Sequence, residues 1–215
     1  MAGFRVQGSG VRGQGVGAMS IVVIDTGGAN LASVVHAIHR LGVECSLTSQ
    51  VELIRKSSRV ILPGVGSAGA AMAALREAGL VDVIRSLTQP VLGICLGLQL
   101  MYERSEEGDT DCLGLIPGKI EKLVVDEHLR LPHMGWNRLN WTDSDDPLAR
   151  GVDPDDWFYF VHSYAAGTEH AVATSEHGRP FAAIVRRGNF AACQFHPEKS
   201  ASAGARILAN FLESV

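Results

Sequence analysis

The feature that most constrains this chain is an alternation in its first half, where short β-branched runs recur with helical patterns between them. Residues 21–25 (IVVID), 44–48, 59–62 (RVIL) and 90–94 (PVLGI) read as strands. Between the first two, Leu31, Val34, Val35, Ile38 and Leu41 recur at the spacing of one buried helical face. Asn30 reads as the cap of that helix and Gly42 as its stop. Further helices are expected near 51–57 and 69–78. Strands alternating with helices in this way predict βαβ units and a parallel sheet.

The second half changes character. From about residue 113 the chain reads as short strands, at 119–124, 139–141, 157–164, 171–174, 182–186 and 191–195. A last helix at 201–213 puts Ile207, Leu208, Phe211 and Leu212 on one face. The expected fold is therefore α/β: an open, mostly parallel sheet flanked by helices, with an added antiparallel sheet in the second half. No repeat or linker divides residues 19–215, and 215 residues make one domain at about 150 per domain. Residues 1–18 stand apart, with six glycines in the first 17 positions and no acidic residue. Gly8, Gly10 and Gly13 there match the dinucleotide fingerprint in spacing but lack the strand before it and the helix after it that a phosphate cradle needs. The segment is either a flexible extension or lies upstream of a true start at Met19.

Composition removes several classes of function. The formal charge of −4 disfavours a nucleic-acid binder driven by phosphate neutralisation. No run approaches the roughly 18 apolar residues of a membrane span, and no apolar core follows Arg5 and Arg12 to make a secretory signal. Cys45, Cys95, Cys112 and Cys193 form no CxxC pair, so free thiols in a reducing, cytoplasmic setting are expected. His36 and His39 share a helix face without a third ligand. The acidic runs 143–146 and 153–156 fail the calcium-loop pattern and read as turns and caps. No metal and no cofactor is expected.

Two stretches carry chemistry. Residues 93–99 read GICLGLQ, with Cys95 where a strand ends and a helix begins, flanked by Gly93 and Gly97. This is the thiol form of a strand-to-helix nucleophile elbow, in which glycines permit a tight turn and the helix start favours an anion. Residues 194–199 read QFHPEK, and in an extended segment His196 and Glu198 point to the same side. A thiol nucleophile needs a base, and the base a group to orient it, roles these two residues fit. The turn Pro63-Gly64-Val65-Gly66 follows the 59–62 strand and belongs at the carboxyl end of the sheet beside Cys95, where its backbone can face an oxyanion.

Taken with DTGGANL at 25–31, LPGVG at 62–66, PHMGWN at 132–137 and YFVHSY at 159–164, these motifs resemble the class I, triad-type glutamine amidotransferases. Within them they resemble the glutaminase subunits of imidazole glycerol phosphate synthase, over residues 19–215. The resemblance implies that Cys95 attacks the carboxamide of glutamine while His196 moves the protons and Glu198 orients it. It implies an oxyanion hole at Leu96 and Val65, shaped by Gly64 and Gly66, and a glutamine site of Gln99, Glu107, Ser163 and Tyr164. It further implies a heterodimer with a (β/α)₈-barrel cyclase, met through Asn30, Pro132, Met134, Trp136, Tyr159 and Lys199, to which ammonia passes for histidine biosynthesis. Rival readings are an amidotransferase of another pathway, such as pyridoxal phosphate synthesis, a non-catalytic activating subunit, and a stand-alone thiol hydrolase or redox sensor. The first is disfavoured by PGVG and PHMGWN, the second by the intact Cys, His and Glu set. The third would require activity on substrates other than glutamine and no partner requirement.

Overall fold

A computed structural model describes residues 20–27 and 31–213. The segment 1–18, Met19 and Asn30 lie outside them. In chain order the elements are β1 (Ile21–Ile24), α1 (Leu31–Arg40), β2 (Cys45–Thr48), α2 (Val51–Lys56), β3 (Arg59–Leu62), α3 (Ala68–Glu77), α4 (Val81–Arg85), β4 (Val91–Ile94), α5 (Leu96–Met101), β5 (Tyr102–Ser105), β6 (Thr110–Asp111) and β7 (Ile116–Lys122). There follow β8 (His133–Asn137), β9 (Asn140–Trp141), β10 (Phe158–His162), β11 (Tyr164–Ala166), β12 (Ala171–His177), β13 (Arg179–Arg187), β14 (Phe190–Cys193) and α6 (Ala201–Glu213).

The main sheet runs β2-β1-β3-β4-β14-β13-β12-β9. Its first five strands are parallel, and β13, β12 and β9 continue it antiparallel. All residues of β1, β3, β4 and β14 are buried, as strands covered on both faces must be. Successive side chains point to opposite faces, so each strand feeds two cores. Val22, Ile24, Val60 and Leu62 pack with Ile54, Met72, Leu75, Ile84 and Ile120 on one side. Ile21, Val23, Ile61 and Leu92 pack with Val34, Ile38, Phe158, Phe160, Ile207 and Phe211 on the other. The apolar face expected for α1 is the one that packs here, with Leu31, Val34 and Ile38 buried.

The second half departs from a single added antiparallel sheet. Part of it extends the main sheet, β10 and β8 form a two-stranded ribbon, and β11-β7-β5-β6 form a third sheet. The expected single strand at 157–164 is two strands broken at Ser163, because β10 pairs with β8 whereas β11 pairs with β7. Phe158, Phe160 and Ala165 belong to one core and Ala166 to the other, so this segment contributes to both. Local β-propensity runs unbroken through residues 157–164; the change of partner that breaks them is a tertiary event. The short helix α4 and the strands β5, β6 and β8 were also not expected.

Candidate active site

Cys95 is the hinge between β4 and α5. Its φ of 53° and ψ of −106° lie in a region that side chains rarely adopt. Such a residue costs on the order of 1–3 kcal/mol and persists only where its surroundings over-determine it. Here the Cys95 N–H donates to the Cys193 carbonyl at 2.8 Å, tying the elbow to β14. The flanking glycines allow that fit. A Cβ on Gly97 would stand 1.9 Å from the Leu62 carbonyl oxygen, and one on Gly93 would stand 2.9 Å from Ala192 Cβ. Only bare backbone lets the first turn of α5 lie this close to β3 and β14.

His196 follows β14 at the same end of the sheet, and its N–H donates to the Tyr159 carbonyl at 2.9 Å. Its Nδ1 lies 2.8 Å from Glu198 Oε1, with the two side chains only 4% and 1% exposed. A carboxylate accepts, so Nδ1 carries the proton and Nε2 faces Cys95. Burial pulls the imidazole pKa down, but hydrogen bonds and charge from Cys95 and Glu198 outweigh it and raise His196 to about 10. His196 is thus held as an imidazolium between sulfur and carboxylate at neutral pH. The pair does not meet along an extended strand, as expected from i, i+2 geometry. His196 is extended, and the 3₁₀ turn Pro197–Lys199 folds Glu198 back onto it. A proline at the first position of that turn makes the reversal local.

These side chains open on a cavity of about 410 Å³ at the carboxyl ends of the parallel strands. Its walls include Gly64, Val65, Gly66, Leu96, Gln99, Glu107, Ser163 and Tyr164 beside Cys95 and His196. The turn after β3 presses on the elbow: a Cβ on Gly64 would stand 3.0 Å from Leu96 Cβ. The Leu96 N–H, first in α5, has no acceptor within the helix. Gln99 is buried, and its amide donates to the Tyr164 carbonyl at 2.9 Å and to Gln194 Oε1 at 3.3 Å. Glu107 Oε2 accepts from the Ala68 N–H at 2.7 Å, at the start of α3. Pro132 and Lys199 stand at the exposed lip of the cavity. Met134 and Trp136 are 63% and 49% exposed, and Tyr159 meets Trp136 edge-on at 5.8 Å between ring centres.

Sequence reasoning missed Gln194 and His162. Gln194 is fully buried and its Nε2 lies 3.8 Å from Cys95 Sγ. His162, also buried, lines the cavity. The signal for Gln194 was its polarity within an apolar strand end, since a buried amide needs partners. Burial pushes the thiols of Cys45, Cys112 and Cys193 up, Cys112 to about 11 and Cys193 well above its ordinary value, which leaves them poor nucleophiles. Among the described residues no group of three His, Cys, Asp or Glu side chains could hold a metal.

The family model for class-I glutamine amidotransferases matches residues 22–215. The fold also resembles that of a solved glutamine amidotransferase, with a TM-score of 0.69 at 20% identity, over 90% of this chain and 97% of that one. The chain belongs to the class-I glutamine amidotransferase family. Within that class it is 51% identical over 193 residues to imidazole glycerol phosphate synthase subunit HisH 2 of Legionella pneumophila (strain Paris), spanning 89% of this chain and 96% of the relative. It is 52% identical over 197 residues to the HisH subunit of Idiomarina loihiensis, spanning 91% and 98%.

Proposed function

We propose that this protein hydrolyses glutamine to glutamate and ammonia and delivers the ammonia to a synthase partner in histidine biosynthesis. The observation that carries the chemistry is Cys95 and His196 lining one cavity, with His196 Nδ1 held 2.8 Å from Glu198 Oε1. Cys95 sulfur attacks the carboxamide carbon, and the resulting oxyanion takes hydrogen bonds from the N–H groups of Leu96 and Val65. The C–N bond breaks as His196 gives its proton to the departing nitrogen, leaving a γ-glutamyl thioester and ammonia. A water then loses its proton to His196 and attacks the thioester, releasing glutamate and the Cys95 sulfur and leaving His196 protonated as at the start. Glu198 holds His196 with Nε2 toward the sulfur throughout. Gln99, Glu107, Ser163 and Tyr164 form the wall against which glutamine seats.

The partner is a (β/α)₈-barrel cyclase that turns a phosphoribulosyl-formimino nucleotide into imidazole glycerol phosphate and an aminoimidazole carboxamide ribotide. It docks over Pro132, Met134, Trp136, Tyr159 and Lys199. The exposure of Met134 and Trp136 beside the cavity lip supports this, since large apolar side chains at a rim mark interaction surfaces. Docking there lets ammonia cross without meeting bulk water, where protonation would remove its nucleophilicity. Among the described residues no helix is long and apolar enough to cross a membrane.

The test is glutamate release by the chain alone and with the cyclase and its nucleotide ligand. Release that rises with partner and ligand, and vanishes in Cys95→Ala, is the expected outcome. Equal, fast release in both conditions removes the coupling, and release by Cys95→Ala removes the nucleophile.

A further inference from the structure

On the ribbon, His133 stands directly opposite His162. Facing residues of an antiparallel pair share one side, so this register brings two imidazoles together beneath the cavity wall. His133 Nδ1 lies 3.1 Å from His162 Nε2, His162 Nδ1 lies 2.9 Å from the Tyr164 carbonyl, and Asn137 Nδ2 lies 3.4 Å from His133 Nε2. The proton positions follow from the two ends. A carbonyl only accepts, so His162 Nδ1 must carry hydrogen. In a neutral ring its Nε2 is then bare and must receive from His133 Nδ1–H. That leaves His133 Nε2 bare, facing the Asn137 amide, whose other hydrogen goes to the Glu176 carbonyl at 2.8 Å. The amide orientation is set independently, because Asn137 Oδ1 accepts from the Arg138 N–H at 2.9 Å.

The chain therefore runs one way, from Asn137 through His133 and His162 to Tyr164. Its end point is the strand break that lines the cavity. The Tyr164 carbonyl accepts from both His162 and Gln99, each at 2.9 Å, so both of its lone pairs are filled. The neighbouring Ser163 carbonyl accepts from the Leu123 N–H at 2.9 Å. Both rings must stay uncharged for the chain to persist. Burial, reinforced by the nearby histidines, keeps them so, with His133 pushed down to about 4 and His162 to about 3. His177, stacked on His133 at 4.3 Å, and His196 are those neighbours. Phe160 and Phe181 pack against both rings, and an apolar pair would fill this space without the desolvation cost of two imidazoles.

We propose that His162 and His133 are positioning residues of the glutamine pocket, a directed hydrogen-bond chain that fixes the Ser163–Tyr164 wall from behind. The inference rests on the glutaminase reading for its kinetic consequence, though not for the tautomers. Nitrogen-15 NMR of the full chain is expected to find both rings neutral with hydrogen on Nδ1. In the assembled synthase with nucleotide ligand, His162→Leu is expected to raise KM for glutamine about tenfold, the effect of one lost hydrogen bond, while kcat changes less than about threefold. His162→Asn, whose amide reaches the position of Nδ1, is expected to restore KM to within about threefold of the original. Hydrogen on Nε2 of either ring overturns the proposal, as does an unchanged KM in His162→Leu or an equally raised one in His162→Asn. Should the leucine variant not fold, the tautomers and the asparagine variant still decide. A synthase that releases no glutamate in unaltered form overturns the glutaminase reading instead, and the tautomers then judge the chain alone.

Discussion

Cys95 and His196 derive their properties from residues that are near in space, only some of which are near in sequence. Gly93 and Gly97 flank Cys95 at fixed spacing and Glu198 stands two positions from His196, so these three were legible as motifs, while the turn at Pro197 that brings the last two together was not. Gln194 and His162 were not, because the partners that give them meaning, Cys95 and His133, lie 99 and 29 positions away. The raised pKa of His196 carries a pH signature. A group raised from 6.5 to about 10 on folding stabilises the protein fully below about 6.5, and that contribution is lost as pH climbs through about 10. Glu198→Gln removes one of the raising groups, so the loss should be smaller and be complete at lower pH. Urea midpoints measured between about pH 6 and 10 for both proteins check this. Glutamate release by the same variant should fall about a hundredfold or more, because the imidazole loses its orienting acceptor.

At the scale of elements, α5 is placed by what its first turn lacks. Gly97 leaves room for the Leu62 carbonyl, and a methyl group there must push α5 off β3 and carry Cys95 with it. Gly97→Ala should cost at least about 1–3 kcal/mol in denaturant unfolding and reduce glutamate release far more than that loss of stability would explain. Retained activity with unchanged stability would show that α5 is not seated by this contact. Strand β8 works on two sides at once. Met134 and Trp136 point outward, while His133 and Asn137 point inward to the chain that ends at Tyr164. Its sequence, HMGWN, has little of the β-branched character that marks a strand, which is why β8 was not expected. The break at Ser163 was hidden for the opposite reason, since the residues on both sides of it favour strand.

For the whole molecule, the sheet separates two cores and gathers its chemistry at one end, where β3, β4 and β14 finish side by side. The acidic runs expected as turns and caps take those roles, with Asp146 capping Leu148 N at 2.8 Å. Asp146 is also paired with Arg186 across 40 residues, at 2.5 and 3.0 Å, with its side chain 1% exposed. Arg186→Leu strands that buried carboxylate and should cost about 3 kcal/mol or more, read from urea unfolding at neutral pH. The ribbon's outer face is a contrasting case. Trp136→Ala should leave stability within about 0.5 kcal/mol yet weaken binding of the proposed cyclase partner by about 2 kcal/mol, as measured by titration calorimetry. Equal binding would remove Trp136 from the docking surface.

The sequence by itself determined the alternating strands and helices, the elbow at Cys95 and the nearness of His196 to Glu198, because periodicity, glycine and short spacing act over a few residues. Only the tertiary structure decided which strands share a sheet, where the 157–164 segment breaks, and that a buried glutamine and two histidines stand behind the site. Those outcomes depend on hydrogen bonds and packing between residues tens of positions apart, which leave no local pattern to read.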